Sequence, residues 1–375
     1  MATLWLAGVD LPAAVAAADP PAKVPLINVT DLYHPPQDPG DNFDLIAAYA
    51  LPEVDLRAVI LDTTGGFRKP VADVPGMYPD PDGPREPGFI PVTQLNFIFN
   101  RAVPCAVGPF ERMKTPEDKM LDAPRFQQQG VELLLRTLRE SARPVEIVSF
   151  GSARPVAVAL NREPRLMQRK VRRLHLCAGA SEPGFVEWNV QLDPHAFVRL
   201  MRSQLPIALY PCATRDGAFA YGRHNCFWQL PDLRFVEQMH PSLRAYLAYA
   251  FGRSQRADFL RAVESESPAS WKPDGLARPH NVWETAVWLN VARRKLVRRA
   301  DGSHRIVAAR EVRASDVVLP NELRPCRVAV RDNGELSFEL TGKPTNFLIY
   351  DRGDPKRNEA ALREALPAWY VAIRP

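Results

Sequence analysis

The chain has 375 residues, of which 46% are hydrophobic and 24% charged, with a formal net charge of +5. That composition is an ordinary folded one, long enough for one large α/β domain or two smaller ones, and it excludes the disordered, collagenous and disulfide-framework classes. The charge excess is small for the length. The clusters Arg169-Lys170-Val171-Arg172-Arg173 and Arg293-Arg294-Lys295 therefore read as solvated faces, and no nucleic-acid partner is expected.

Proline is abundant, with 37 residues spread among apolar segments, which predicts stiff loops rather than disorder. The five cysteines, Cys105, Cys177, Cys212, Cys226 and Cys326, include no C-x-x-C pair. Neither a zinc cage nor a disulfide framework is expected from them, and buried free thiols are. No apolar run reaches the roughly 18 residues that span a membrane. Residues 1–23 form an Ala-rich N-terminal segment in which Ala16-Ala17-Ala18-Asp19 resembles a signal cleavage site. A positive n-region is missing and Asp10 interrupts the apolar run, so a cytoplasmic location is expected, with export as the alternative.

The first structured stretch is Pro25 to Asp44. An apolar run of strand length breaks at Pro35-Pro36 and at Asp38-Pro39-Gly40, a turn signal. Phe43, Ile46, Ala47 and Ala50 then recur at helical spacing. Asp31, Asp38, Asp41 and Asp44 are gathered around this strand end. Four such acids repel one another unless a cation sits among them, and a hard ion such as Ca²⁺, which takes oxygen ligands, is suited to the place. The competing reading makes Asp41 a helix N-cap, Asp44 a dipole partner in the first turn and Asp38 a turn residue.

Leu56 to Leu61 reads as a second buried strand ending in Asp62-Thr63-Thr64-Gly65-Gly66, and residues 67–93 read as a long Pro- and Gly-rich loop of the kind that forms lids. Helices are expected over residues 94–101, 126–139 and 155–160, with strands at 103–107, 145–150 and 172–177. Asp193-Pro194 opens a further helix, and residues 206–212 form another strand. Residues 230–265 read as helical, and Pro279-His280-Asn281 reads as the opening of an apolar helix through Val291. Beyond Lys295 the pattern turns to hairpins, marked by Asp301-Gly302 and Asn333-Gly334, before a closing helix near 358–366. Alternating strands and helices predict an α/β fold with a mainly parallel sheet covered on both faces, and ligands in such folds sit at the carboxyl ends of the strands. The expected division is an N-terminal segment 1–23, an α/β core 24–292 and a small β-containing C-terminal extension 293–375.

The order of these parts, with Asp38-Pro39-Gly40, Pro52-Glu53-Val54-Asp55-Leu56, the Phe150-Gly151-Ser152 turn and above all Glu187-Trp188-Asn189 followed by Asp193-Pro194-His195-Ala196, resembles the inosine/uridine-preferring nucleoside hydrolase family over roughly residues 24–292. The resemblance implies that family's Rossmann-like core and a metal-dependent hydrolase, an N-glycosidase acting on ribonucleosides or related N-ribosides. It implies one Ca²⁺ per chain, which orients the ribose and activates water, and a small-molecule nucleoside as partner; a homo-oligomer is compatible with it. Matched position by position, Asp38, Asp41, Asp44, the backbone carbonyl of Phe150 and Asn281 would ligate the metal. Asp31 and Asp38 would be the catalytic acids and His280 would serve the leaving base. Glu187, Asn189 and Asn281 would bind the sugar.

The chain departs from the family pattern in three places. Asn281 stands where the family carries a ligating Asp, which removes a charge from the site. Thr63-Thr64-Gly65-Gly66 stands where an Asn touches the sugar. The spacing of the first acids is stretched around His34 to Gln37. His34 and His224 are weaker candidates. A non-catalytic nucleoside- or sugar-binding module on the same scaffold is the alternative reading. A Mg²⁺ phosphatase is a third, opposed by the lack of a Gly-rich phosphate loop after the acids.

Overall fold

The computed structural model describes residues 22–32, 39–65, 86–252, 254, 256–265 and 273–375. Six strands, β1 (Val24–Thr30), β2 (Val54–Leu61), β3 (Cys105–Val107), β4 (Val145–Phe150), β5 (Val171–Leu176) and β6 (Ile207–Leu209), pair in parallel in the order 3-2-1-4-5-6. This is the doubly wound arrangement, with its topological switch between β1 and β4. Both β1 and β4 are buried along their whole length, as strands covered on both faces must be. One apolar cluster, including Leu26, Phe43, Val59 and Tyr246, fills one face of the sheet. A second, including Ile27, Ile60, Leu134 and Val156, fills the other.

A two-stranded antiparallel ribbon follows, β7 (Trp228–Leu230) with β8 (His280–Val282). Then come a three-stranded antiparallel sheet, β9 (Arg294–Arg298), β10 (His304–Ala308) and β11 (Val317–Val318), and the strands β12 (Glu322–Val330), β13 (Leu336–Leu340) and β14 (Phe347–Asp351). β14 pairs in parallel with β6, and β12 runs antiparallel to both β14 and β13. The segment beyond residue 293 thus divides: part forms the small sheet, and part carries the central sheet on to nine strands. Gly334, at φ +88, makes the β12–β13 turn in a conformation that favours glycine.

Three expectations about elements are corrected. The helix expected to open at Pro279 begins instead at Thr285, because His280, Asn281 and Val282 are extended and pair with Leu230, Gln229 and Trp228. The helical stretch expected over 230–265 is broken into a 3₁₀ turn, Arg234–Gln238, and helices Pro241–Phe251 and Phe259–Ser265. Pro241 occupies the first turn of its helix, where its missing N–H costs nothing. The long loop expected over 67–93 lies outside the described residues between 66 and 85, and its end is already helical, Phe89–Ile98, with Pro91 again in the first turn.

Candidate active site

A cavity of about 450 Å³ opens at the carboxyl ends of the strands, on the switch point. Its β1 side is built by Asp31, one residue past β1, and by Phe150, the last residue of β4; both line the cavity. The Asp31 amide donates to the Phe150 carbonyl at 3.2 Å, which ties the two strand ends together and leaves that oxygen a second lone pair. Gly151 gives this turn its close packing: a Cβ there would lie 3.1 Å from the Asp31 Cβ and 3.0 Å from Asp62 Oδ2, so those groups would have to shift. Asp62 closes β2 and is fully buried. Ser152 Oγ donates to it at 2.6 Å and the Ala153 amide at 2.9 Å. Burial pushes the Asp62 carboxyl up to about 6 against the opposing pull of Arg154. Ala153 adopts a left-handed φ of 57° to start the helix Arg154–Arg162.

Arg154 holds this rim together. Its buried Nε donates to Asp193 Oδ2 at 2.7 Å. The rest of the guanidinium donates to the carbonyls of Thr63, Pro109, Phe110 and Leu192 and to Thr64 Oγ1. Asp193 in turn accepts from the amides of Met113 and Ala196, the second as N-cap of the helix Pro194–Met201. The loops after β2 and β3 and the segment that follows Glu187 are therefore locked to one buried ion pair. Removing one partner of such a pair strands a charge in the interior.

The opposite wall comes from beyond β5 and β6. Glu187 lines the cavity, accepts from the amides of Gly179 at 2.9 Å and Asn189 at 3.0 Å, and caps the short helix Trp188–Leu192. Burial pushes its carboxyl up to about 7, so it changes charge near neutral pH. Asn189 donates to the Cys177 carbonyl at 2.9 Å, and both residues line the cavity. Phe185, Trp188, Phe219 and Trp283 border the same space, with Trp188 44% and Phe219 65% exposed. The Trp283 indole is fixed by a 2.9 Å hydrogen bond to the Cys212 carbonyl, and Phe219 lies 6.0 Å from its ring. An aromatic border over a polar floor matches a ligand with one flat face and one hydroxylated end.

Of the residues singled out from the sequence, Asp31, Asp41, Phe150, Glu187 and Asn189 come together around this cavity. Asp41 sits in the first turn of the helix Pro39–Ala50, inside the helix rather than capping it. Asp38 and His34 lie outside the described residues. Asp44, His280 and Asn281 line a separate, much smaller cavity beside the first. There Asp44 Oδ1 accepts from the Trp288 indole at 2.9 Å, Asn281 Oδ1 accepts from Gln229 at 3.3 Å, and His280 Nε2 meets the Gly275 carbonyl at 3.2 Å. Burial lowers the His280 pKa, which favours the neutral ring. His224 is turned toward the Tyr350 carbonyl and the Phe338 ring.

Glu284 borders both cavities and was not singled out from the sequence. It lies three residues past Asn281, and the strand at 280–282 is what carries it, rather than Asn281, to the larger space. Asp31, Asp41 and Glu284 with the Phe150 carbonyl form a set of hard oxygen donors, the kind that Ca²⁺ takes. Among the described residues, however, no three acidic side chains bring oxygens within 4.8 Å of one another. The one group that meets this test is Cys177, Cys212 and Cys226.

No family model matches the chain. It is 30% identical over 187 residues to the pyrimidine-specific ribonucleoside hydrolase RihA of Salmonella paratyphi B, covering 46% of this chain and 57% of that protein. RihA of Salmonella enteritidis is 31% identical over 187 residues with the same shares covered. The chain thus spans little more than half the length of these curated relatives. Among solved structures, the purine-preferring ribonucleoside hydrolase from Gardnerella vaginalis aligns with 92% of this chain and 99% of its own, at 15% identity and a TM-score of 0.46. The sequence likeness is thus to ribonucleoside hydrolases, over about half of this chain.

Proposed function

We propose that the protein is an N-glycosyl hydrolase that cleaves ribonucleosides or related N-ribosides. The observation that carries this reading is the convergence of Asp31, Asp41, Glu187 and Asn189 on one cavity with an aromatic border at the sheet's switch point. Likeness to ribonucleoside hydrolases supports the same chemistry. In the reaction, a water oxygen bonds to the anomeric carbon as the bond from that carbon to the base nitrogen breaks. The water's proton passes to a carboxylate, and the departing base takes up a proton at the nitrogen that the broken bond frees. Asp31 is the acid best placed to take that proton, with Asp38 as the second. The transition state carries positive charge on the sugar, which the neighbouring carboxylates stabilise. Glu187 and Asn189 bind the ribose hydroxyls, and Trp283, Phe219, Trp188 and Phe185 hold the base.

Ca²⁺ is the cofactor of this reading; when bound it orients the sugar hydroxyls and lowers the pKa of a water. Asp31, Asp38, Asp41 and the Phe150 carbonyl would hold it, with Glu284 supplying the charge that Asn281 lacks. Asp44 and Asn281 are engaged with Trp288 and Gln229 instead. The test is release of reducing sugar from a panel of purine and pyrimidine ribonucleosides with Ca²⁺ present and Asp31→Asn as the blank. Release above the blank is expected. No release, with nucleoside binding still measurable, would replace the hydrolase by a binding module on the same scaffold.

A further inference from the structure

Three of the five cysteines meet beside the cavity. Cys177 Sγ lies 3.4 Å from Cys212 Sγ and 3.8 Å from Cys226 Sγ, and all three sulfurs fall within 4.8 Å of one another. All three residues are buried. Each is pinned by its own backbone: the Cys177 amide donates to Ser149, Cys212 to Gly179 and Cys226 to Pro211. The triangle is therefore set by the sheet and not by the thiols themselves. A cation bound to three sulfurs at about 2.3 Å holds them about 3.8–4.0 Å apart, in tetrahedral or trigonal geometry. The observed separations need shifts of only a few tenths of an ångström for the two closer pairs. A disulfide would use two of the three sulfurs and leave the third stranded.

The electrostatic surroundings favour a cation of charge two. Arg352 is fully buried and donates to the Gly222 carbonyl and, on either side of Cys226 in sequence, to Asn225 Oδ1 and the Phe227 carbonyl. No carboxylate lies within ion-pairing distance of it among the described residues, and its charge acts on Cys226. Three thiolates, one dication and one guanidinium sum to zero, with the Glu284 and Glu187 carboxyls acting on Cys177 and Cys226 from the cavity side. Soft thiolates select Zn²⁺ or Cu⁺ over the hard ions that suit acidic sites. Cys177 and Cys212 also line the cavity, which gives an ion its way in and leaves a position for a fourth, water ligand.

We propose that Cys177, Cys212 and Cys226 form a binding site for a thiophilic divalent cation, Zn²⁺ first among them, in the wall of the cavity and separate from the acidic donors. On binding, the metal–sulfur bonds replace the remaining S–H bonds, and the displaced protons leave through the cavity.

The test uses the full chain, reduced and freed of metal with a chelator. It is titrated with Zn²⁺ against a chromophoric competitor, with Cd²⁺ as spectroscopic probe, and with Cu⁺. One equivalent of Zn²⁺ or Cd²⁺ per chain is expected, with a thiolate-to-Cd²⁺ charge-transfer band in the ultraviolet that excess Ca²⁺ leaves in place. Cys226→Ser should weaken binding at least about tenfold, while Cys105→Ser, outside the cluster, should not. As a check that does not depend on the folding of Cys226→Ser, alkylation of the wild-type chain is mapped with and without Zn²⁺; slowed labelling of Cys177 and Cys212, with Cys105 unchanged, is expected. The absence of a band, a band that survives in folded Cys226→Ser, or unaltered labelling of Cys177 and Cys212 would overturn the site. Binding of Cu⁺ alone would overturn the divalent assignment.

Discussion

The two walls of the cavity stand at the same edge of the same sheet, yet they are made of different chemistry. On the β1–β4 side, oxygen donors dominate: Asp31, Asp41 and the Phe150 carbonyl, backed by the buried Asp62 and by the Arg154–Asp193 pair. On the β5–β6 side, Cys177, one residue past β5, and Cys212, three past β6, line the wall together with Glu187 and Asn189. The switch point fixes where a ligand goes, and the first residues past each strand fix what kind it is. Under the function proposed above, a hard ion suits the first wall and a soft ion the second, with the sugar hydroxyls reaching from the ion across to Glu187 and Asn189.

The sharpest way to break the comparison is to release the oxygen wall. Arg154→Met removes the buried partner of Asp193 and leaves that carboxylate uncompensated. Unfolding in denaturant should show a loss of about 3–5 kcal/mol, and native stability in the variant would mean the hub is not what locks the loops. Asp31→Asn keeps the shape of the wall but removes the base of the reaction proposed above. The turnover number for the best nucleoside should fall on the order of 10²–10⁴-fold with the fold intact by circular dichroism. A variant with wild-type turnover would remove Asp31 from the chemistry.

The difference between the walls also explains how much could be read from the sequence. The parallel sheet, the acidic strand end and Glu187-Trp188-Asn189 were legible because each is local: a period, a turn signal or a contiguous motif. Asp31, Asp41, Glu187 and Asn189 do line the cavity. The thiol triangle was not legible, since Cys177, Cys212 and Cys226 are widely spaced and only the in-register pairing of β5 with β6 and the return of the chain at Cys226 bring them together. Arg154 was likewise hidden, because a lone arginine at a helix start carries no sign that it will be buried against five backbone and side-chain oxygens outside its ion pair. The helix expected at Pro279 failed because β7 supplies a pairing partner that local pattern cannot reveal. As a result Glu284 borders the larger cavity, while Asn281 lines the smaller one.

A smaller effect concerns the charge of Glu187. Burial raises its pKa from the ordinary 4.5 to about 7. Between those values the folded chain keeps a proton that the unfolded chain releases, so stability falls as pH rises through that window and is level above it. Glu187→Gln has no proton to keep. The stability difference between about pH 5 and about pH 8 should shrink by up to roughly 3 kcal/mol relative to the parent, measured by denaturant unfolding of the Ca²⁺-free proteins. Asp62, also raised by burial, contributes a fall of the same sign in both proteins and cancels in the difference. An unchanged slope would mean that the Glu187 carboxylate is solvated in the cavity.

The smallest expected effect discriminates most finely between sequence and structure as guides to the metal. Matching by sequence gives Asn281 a ligand's place, and on that basis Asn281→Asp should tighten Ca²⁺ binding. The structure turns Asn281 toward Gln229 and the smaller cavity, while Glu284 borders the larger one with Asp31 and Asp41. A carboxylate added at 281 would point away from the acidic wall, and one removed at 284 would leave it. Calorimetric Ca²⁺ titration should therefore find Asn281→Asp within about a factor of two of the parent, since charges separated through packed protein and solvent interact weakly. Glu284→Gln should be weaker by about tenfold, since ligand charge tunes Ca²⁺ affinity. The opposite pattern, with tighter binding in Asn281→Asp and no change in Glu284→Gln, would return the ligand to position 281. It would also show that the 280–282 ribbon rearranges when the ion binds.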